Sequence, residues 1–164
     1  MNAADARDSA GVIAPPPLIA AATVVLGLAL DRLLPAYVLT VLFDFSTRII
    51  VAVLLGAAGG ALALVAEFRF KQAGTATMPW KPATALVMTG IYRYVRNPMY
   101  VGLALVVAAL AMALASDWTL VLMVPAALLM HFGVVKREER YLEGKFGDDY
   151  RHYMETVPRY GWPH

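Results

Sequence analysis

MYVGLALVVAALAMALASDWTLVLMVPAALLMHFGVVKREER, residues 99–140, is the stretch on which the fold turns. It holds two uncharged apolar runs, 99–116 and 118–135, parted by little more than Ser116 and Asp117. Five consecutive charged residues follow, Lys136, Arg137, Glu138, Glu139 and Arg140. A bilayer core of ~30 Å takes roughly 20 helical residues at 1.5 Å each. The spacing therefore predicts two membrane helices in a tight antiparallel hairpin. Two further runs lie upstream. One covers 17–34 and stops at Asp31, Arg32 and Pro35; the other covers 49–66 and meets Glu67 and Arg69. The expected fold is an all-α integral membrane protein with four transmembrane helices, a C-terminal helical hairpin and a cytoplasmic helical extension.

Composition agrees with that pattern. Hydrophobic residues make up 60% of the 164 and charged ones 16%, with a mean hydropathy of +0.60. Soluble domains sit near half apolar and about a quarter charged, so an ordinary soluble enzyme is excluded. One membrane domain is expected: a tail over 1–16, the first two helices over 17–70 and a C-terminal core over 71–164. Without cysteine there is no disulfide and no Cys-ligated zinc or iron–sulfur centre. The three histidines, 131, 152 and 164, lack HExxH spacing, so no metal site is expected. The segment before the first run carries Asp5 and Asp8 against Arg7, and no small-residue cleavage site follows it. That predicts a retained helix and not a signal peptide.

Four spans would put twelve of the fourteen Lys and Arg on one side, with only Arg32 and Arg48 opposite. Basic residues are retained in the cytoplasm. Both termini are accordingly expected there, with the chain in the cell (inner) membrane. The spans carry no charge near mid-membrane, which argues against a transporter. In the second helix Gly56, Gly59 and Gly60 offer small residues for close helix packing.

Polar residues gather in two blocks on the cytoplasmic side, 74–100 and 136–159, and the hairpin must bring them together. The second continues the last helix beyond the bilayer, with no Gly or Pro until Gly144. His131, Val135, Glu138, Leu142 and Lys145 share one face, with Glu139 about 100° around. One of the two glutamates can face inward while its neighbour faces solvent or a ligand.

Gly-x-Tyr-Arg-x-x-Arg-Asn-Pro-Met-Tyr-x-Gly (90–102) is followed by Arg-Glu-Glu (137–139), Phe-Gly-x-x-Tyr-x-x-Tyr (146–153) and Val-Pro-Arg (157–159). This order resembles the isoprenylcysteine carboxyl methyltransferase family, whose outline the phospholipid N-methyltransferases share. The resemblance covers roughly 74–160. It implies an integral membrane methyltransferase binding S-adenosylmethionine near the cytoplasmic face, through Arg96, Asn97, Pro98, Tyr100 and Gly102 and through Glu138 and Glu139. Many relatives carry His where Asn97 stands, and Asn cannot titrate near neutral pH. Some relatives also have basic residues where Glu155 and Thr156 precede Val157.

These residue types suit the cofactor. An arginine fork suits its carboxylate, a glutamate its ammonium or ribose hydroxyls, and aromatic faces its sulfonium. Tyr92, Tyr94, Tyr100 and Tyr141 are candidates for the last role. Methyl transfer needs alignment and no covalent nucleophile. A carboxylate acceptor could be oriented by Arg159; an amine acceptor needs a base, for which Glu155, His152 and Tyr153 are candidates. Expected partners are a lipophilic small-molecule or lipid substrate and membrane lipids, with no nucleic acid. Carboxyl O-methylation, phospholipid N-methylation and a non-catalytic scaffold all stay open. Plainer readings exist for single residues. Arg93, Arg96, Lys136 and Arg137 suit interfacial anchoring, as do Trp80, Trp118 and Trp162. His131 suits a packed or interfacial position. Pro15 to Pro17 stiffen the entry to the first helix, and Pro125 predicts a kink.

Overall fold

The computed structural model describes residues 9–161, so the expectations for Arg7, Trp162 and His164 lie outside the described residues. Seven α-helices and no strand occur among the described residues. Helix α1 (Pro16–Leu33) begins with prolines in its first turn, where their fixed φ and missing N–H cost nothing. A short α2 (Val38–Leu42) precedes α3 (Phe45–Gln72), which Asp44 caps by accepting from the Thr47 amide at 2.6 Å. A 3-10 turn, Gly90–Arg93, leads to α4 (Pro98–Leu114). The rod that follows is continuous: α5 (Asp117–Met130), a π-turn over His131–Val135, and α6 (Lys136–Phe146). Gly147, at φ 59°, breaks it before α7 (Asp148–Thr156).

Three of these helices, counting α5 through α6 as one, are long and apolar enough to cross a membrane, and α4 is a shorter apolar helix. Only 22%, 17% and 22% of the three span windows is buried. Val53, Leu54, Leu64, Val121 and Val124 all face outward, each more than half exposed. The apolar residues thus cover the outside of the bundle, as a lipid solvent requires.

Two of the helices run well past their apolar segments. The 28 residues of α3 reach about 42 Å, because Glu67 and Lys71 pair at 2.8 Å and carry the helix past the apolar run. The rod from Asp117 to Phe146 is about 45 Å long, against a core of ~30 Å. Its charged α6 end must project. The helix passes through Gly144 and stops only at Gly147.

At the end away from the polar blocks, Asp31 on α1 accepts from the Ser116 hydroxyl and the Trp118 amide. Asp117 accepts from the Val38 and Leu39 amides, both at 2.9 Å, capping α2 from 78 and 79 residues away. The Trp118 indole donates to the Leu34 carbonyl at 2.6 Å. Ala115, in the left-handed region at φ 52°, and Ser116 make the whole connection between α4 and α5. Yet α4 packs chiefly on α3, and α5 on α1. The α3–α4 contact rests on Gly59 and Gly102. A Cβ at Gly59 would lie 2.6 Å from the Gly102 carbonyl oxygen, and one at Gly102 2.7 Å from that of Gly59. Gly102, expected at the cofactor, is thus a helix-packing residue: the two backbones meet where it stands.

Candidate functional site

At the polar end the chain's last described segment folds back on the start of α4. The Arg96 amide donates to the Pro158 carbonyl at 3.0 Å and the Asn97 amide to that of Arg159 at 3.2 Å. The Asn97 side chain adds a second bond to the Arg159 carbonyl, at 3.2 Å, and Arg96 Nε donates to the Val157 carbonyl at 2.8 Å. Pro98 then opens α4 in its first turn. In this structure Asn97 holds two chain segments together.

Glu139 lies between two arginines. Its Oε1 accepts from Arg96 Nη1 and Arg159 Nε, both at 2.7 Å, and its Oε2 from Arg159 Nη2 at 2.8 Å. Arg96 and Glu139 are each 7% exposed, so the carboxylate is stabilised by charge-assisted bonds and little screened. These bonds also raise the affinity of Arg159 for its proton. The triad ties α6, the turn before α4 and the segment after α7 into one body. The sequence reading assigned Arg96 to a ligand carboxylate; here its guanidinium is engaged by Glu139 and by the Val157 carbonyl.

Glu138 has a different environment. It stands on α6, past the apolar part of the rod, and accepts from the Tyr100 hydroxyl at 2.6 Å. Burial pushes its carboxyl up to about 7; the Tyr100 bond opposes that shift and the Glu139 charge adds to it. Glu138 thus titrates near neutral pH and faces a cavity of about 110 Å³. That cavity is lined by Tyr92, Arg96, Asn97, Tyr100, Glu138 and Glu139, with the 76–79 loop, Tyr150 and Tyr153 completing it. The Tyr141 hydroxyl, accepting from the Ala83 amide at 3.1 Å, holds the far wall.

A second cavity, about 600 Å³ and almost wholly apolar, lies between α1, α4 and α5. Ile19, Ala20 and Thr23 of α1, Val107 of α4 and Met123 and Ala127 of α5 line it, with His131 and Tyr160 at its polar end. Tyr100 lines both cavities.

Several expected residues lie elsewhere. Tyr94 is 71% exposed and lines neither cavity. Glu155 lies on the exposed side of α7 and lines neither; His152 is exposed on the same helix. Tyr153 is buried and donates to the Tyr92 carbonyl at 2.7 Å. Burial holds its hydroxyl well above the usual range. Burial likewise pushes Tyr150 up to about 12. What the sequence reading missed is the contribution of α1 and the pairing of His131 with Tyr160. No local pattern announces either, because both are contacts between distant segments.

The sequence ahead of α1 also reaches this end. The Ala10 amide donates to the Pro79 carbonyl at 3.2 Å, and the Ile13 amide to that of Gly133 at 3.1 Å. Arg137 Nη1 donates to the Gly11 carbonyl at 2.8 Å. Ile13 fills the space that a side chain at Gly133 would need.

Residues 47–149 match the family described as phospholipid methyltransferase. The match spans α3 to the start of α7 and so includes Arg96, Tyr100, Glu138 and Glu139, while α1 and the 157–160 segment lie outside it. No curated protein and no solved structure matches the chain.

Proposed function

The chain belongs to the phospholipid methyltransferase family, and from that premise we propose that it methylates a lipid-borne amine with S-adenosylmethionine at the membrane interface. The observation that carries the reading is Tyr100: one side chain walls both a small cavity with ionisable groups and a large apolar one. A charged cofactor and a lipid acceptor would meet there, one from water and the other from the bilayer. The reading includes four transmembrane spans with both termini cytoplasmic, α4 serving as the short fourth.

The residues of the small cavity suit the cofactor. Glu138, ionised, offers a partner for its ammonium, and the faces of Tyr92 and Tyr100 suit a sulfonium. Lys81, also in the lining, offers a cation for the cofactor carboxylate. When bound, S-adenosylmethionine supplies an electrophilic methyl group. The chain's own part is to hold the acceptor nitrogen in line, keep water out through the apolar chamber and accept a proton.

Amine methylation is favoured over the carboxyl O-methylation that the isoprenylcysteine resemblance suggests. Arg159, the cation assigned to orient a carboxylate acceptor, already donates to both oxygens of Glu139.

The test is calorimetric binding of S-adenosylmethionine and of its demethylated product to the detergent-purified protein, alongside Glu138→Gln and Tyr100→Phe. Both substitutions spare the Arg96–Glu139–Arg159 triad. Binding by the wild type, weakened about tenfold or more in each variant, is the expected result. A folded wild type that binds neither compound, in detergent or in nanodiscs, removes the methyltransferase reading and leaves a scaffold.

A further inference from the structure

We propose that His131 is the catalytic base of this site, taking the proton from the ammonium of a lipid-borne primary amine bound in the apolar chamber. The inference rests on the function proposed above and adds a residue to it.

The chamber's lining leaves little choice. Among the described residues, its only ionisable side chains are Tyr100, His131 and Tyr160, and no carboxylate is among them. A neutral tyrosine is not a proton acceptor near neutral pH, whereas an imidazole is. Glu138 lies beyond Tyr100, bonded to its hydroxyl and lining the small cavity only. An amine held in the chamber therefore has His131 as the proton acceptor of its lining.

The ring is also held. His131 Nδ1 and the Tyr160 hydroxyl are 3.0 Å apart, and the Phe132 ring meets the imidazole edge-on at a centroid distance of 4.7 Å. With Nδ1–H donating to the Tyr160 oxygen, Nε2 keeps its lone pair for the substrate. That same bond survives when the ring becomes an imidazolium, so Tyr160 orients both states. Tyr160 directly follows Arg159 of the Arg96–Glu139–Arg159 triad, which fixes it relative to Glu139. The rod's π-turn begins at His131. Such turns are rare within helices and concentrate at functional sites, and this one sets the ring where chamber and charged extension join.

The step is a simple proton balance. The acceptor's R–NH3⁺ and neutral His131 become R–NH2 and imidazolium; the nitrogen gains a lone pair for the incoming methyl group, and the imidazolium releases its proton to water.

Two measurements test this. The first uses cofactor-free protein labelled with ¹⁵N-histidine; only three histidines are present, and His131→Gln assigns the resonance. Dioctanoyl phosphatidylethanolamine should shift the His131 signal and leave that of His152 unmoved. The second compares methylation of that lipid by the wild type, His131→Gln and Tyr160→Phe. His131→Gln should lower kcat about a hundredfold, the lower end for general-base catalysis, with KM within about threefold. Tyr160→Phe should fall between the two. An unmoved His131 signal, or a His131→Gln enzyme with the wild-type kcat, overturns the inference and leaves the methyltransferase reading standing. A folded wild type that methylates neither this lipid nor a prenylated cysteine carboxylate overturns both.

Discussion

Two adjacent glutamates on one helix do different work because their neighbours differ. Glu139 is held between Arg96 and Arg159. Arg96→Ala would leave it with one partner in a buried setting, a loss of about 3–5 kcal/mol, measurable as unfolding free energy in mixed micelles. Arg96→Lys keeps the charge and gives up the bond from Nε to the Val157 carbonyl, so it should cost less, about 1.5–3 kcal/mol. Glu138 is the responsive one. Its carboxyl is raised from 4.5 to about 7 in the ligand-free fold. A raised carboxyl favours the folded state when protonated, so its stabilising effect is complete below about pH 4.5 and is lost as pH rises through about 7. Attraction for a cationic ligand has the opposite sign. Affinity for S-adenosylmethionine should rise roughly tenfold between about pH 6 and about pH 8, and Glu138→Gln should flatten that rise in a calorimetric titration.

At the scale of elements, α3 and α4 meet backbone to backbone at Gly59 and Gly102, with Ala52 and Met112 packing side chain to side chain further along. Gly59 and Gly102 each sit so close to the other's carbonyl that any Cβ must push the helices apart. Gly102→Val should therefore destabilise by about 1–3 kcal/mol and disturb Tyr100 two residues away. Gly60, with open space around it, provides the control. Gly60→Ala should be neutral or stabilising by up to about 1 kcal/mol, and thermal melts of the two variants in one detergent separate packing from propensity. The rod from α5 to α6 carries the other device. Its apolar part ends at Val135, and its charged part then supplies Glu138 to the cavity and Glu139 to the triad, so a single helix joins membrane and site.

For the whole molecule, the proposed four spans would put twelve of fourteen basic residues on one side, which makes orientation testable. The native chain has no cysteine, so single introduced thiols report without background. In intact cells a membrane-impermeant maleimide should label a cysteine at Tyr37 and spare one at Lys81. The reverse pattern would invert the proposed topology, and labelling of both would undo the four-span reading. The apolar cavity is lined in part by α1, which extends the proposed site to a helix that lies outside the family match and carries no motif. Replacing Ala20 with Phe should reduce turnover of a lipid acceptor more than binding of the cofactor, because Ala20 lines only the apolar chamber.

By itself the sequence determined the apolar segments, the hairpin at Ser116 and the meeting of the 96–100 and 136–141 blocks. Hydropathy, charge and Pro or Gly punctuation are properties of neighbouring residues, and a two-residue connection leaves the chain no other course. Those same local rules stop short of the assignments within the motif. Gly102 reads like a cofactor residue until Gly59 is found against it. Arg159 reads like a substrate anchor until it is found bonded to Glu139, and Tyr153 like a base until it is found buried and donating to the Tyr92 carbonyl. Only the tertiary structure decided these, along with the place of α1 and of His131 beside the chamber. Each depends on a partner from a distant segment, and burial and pairing, which set whether a polar group is structural or available for chemistry, are not encoded in any short stretch.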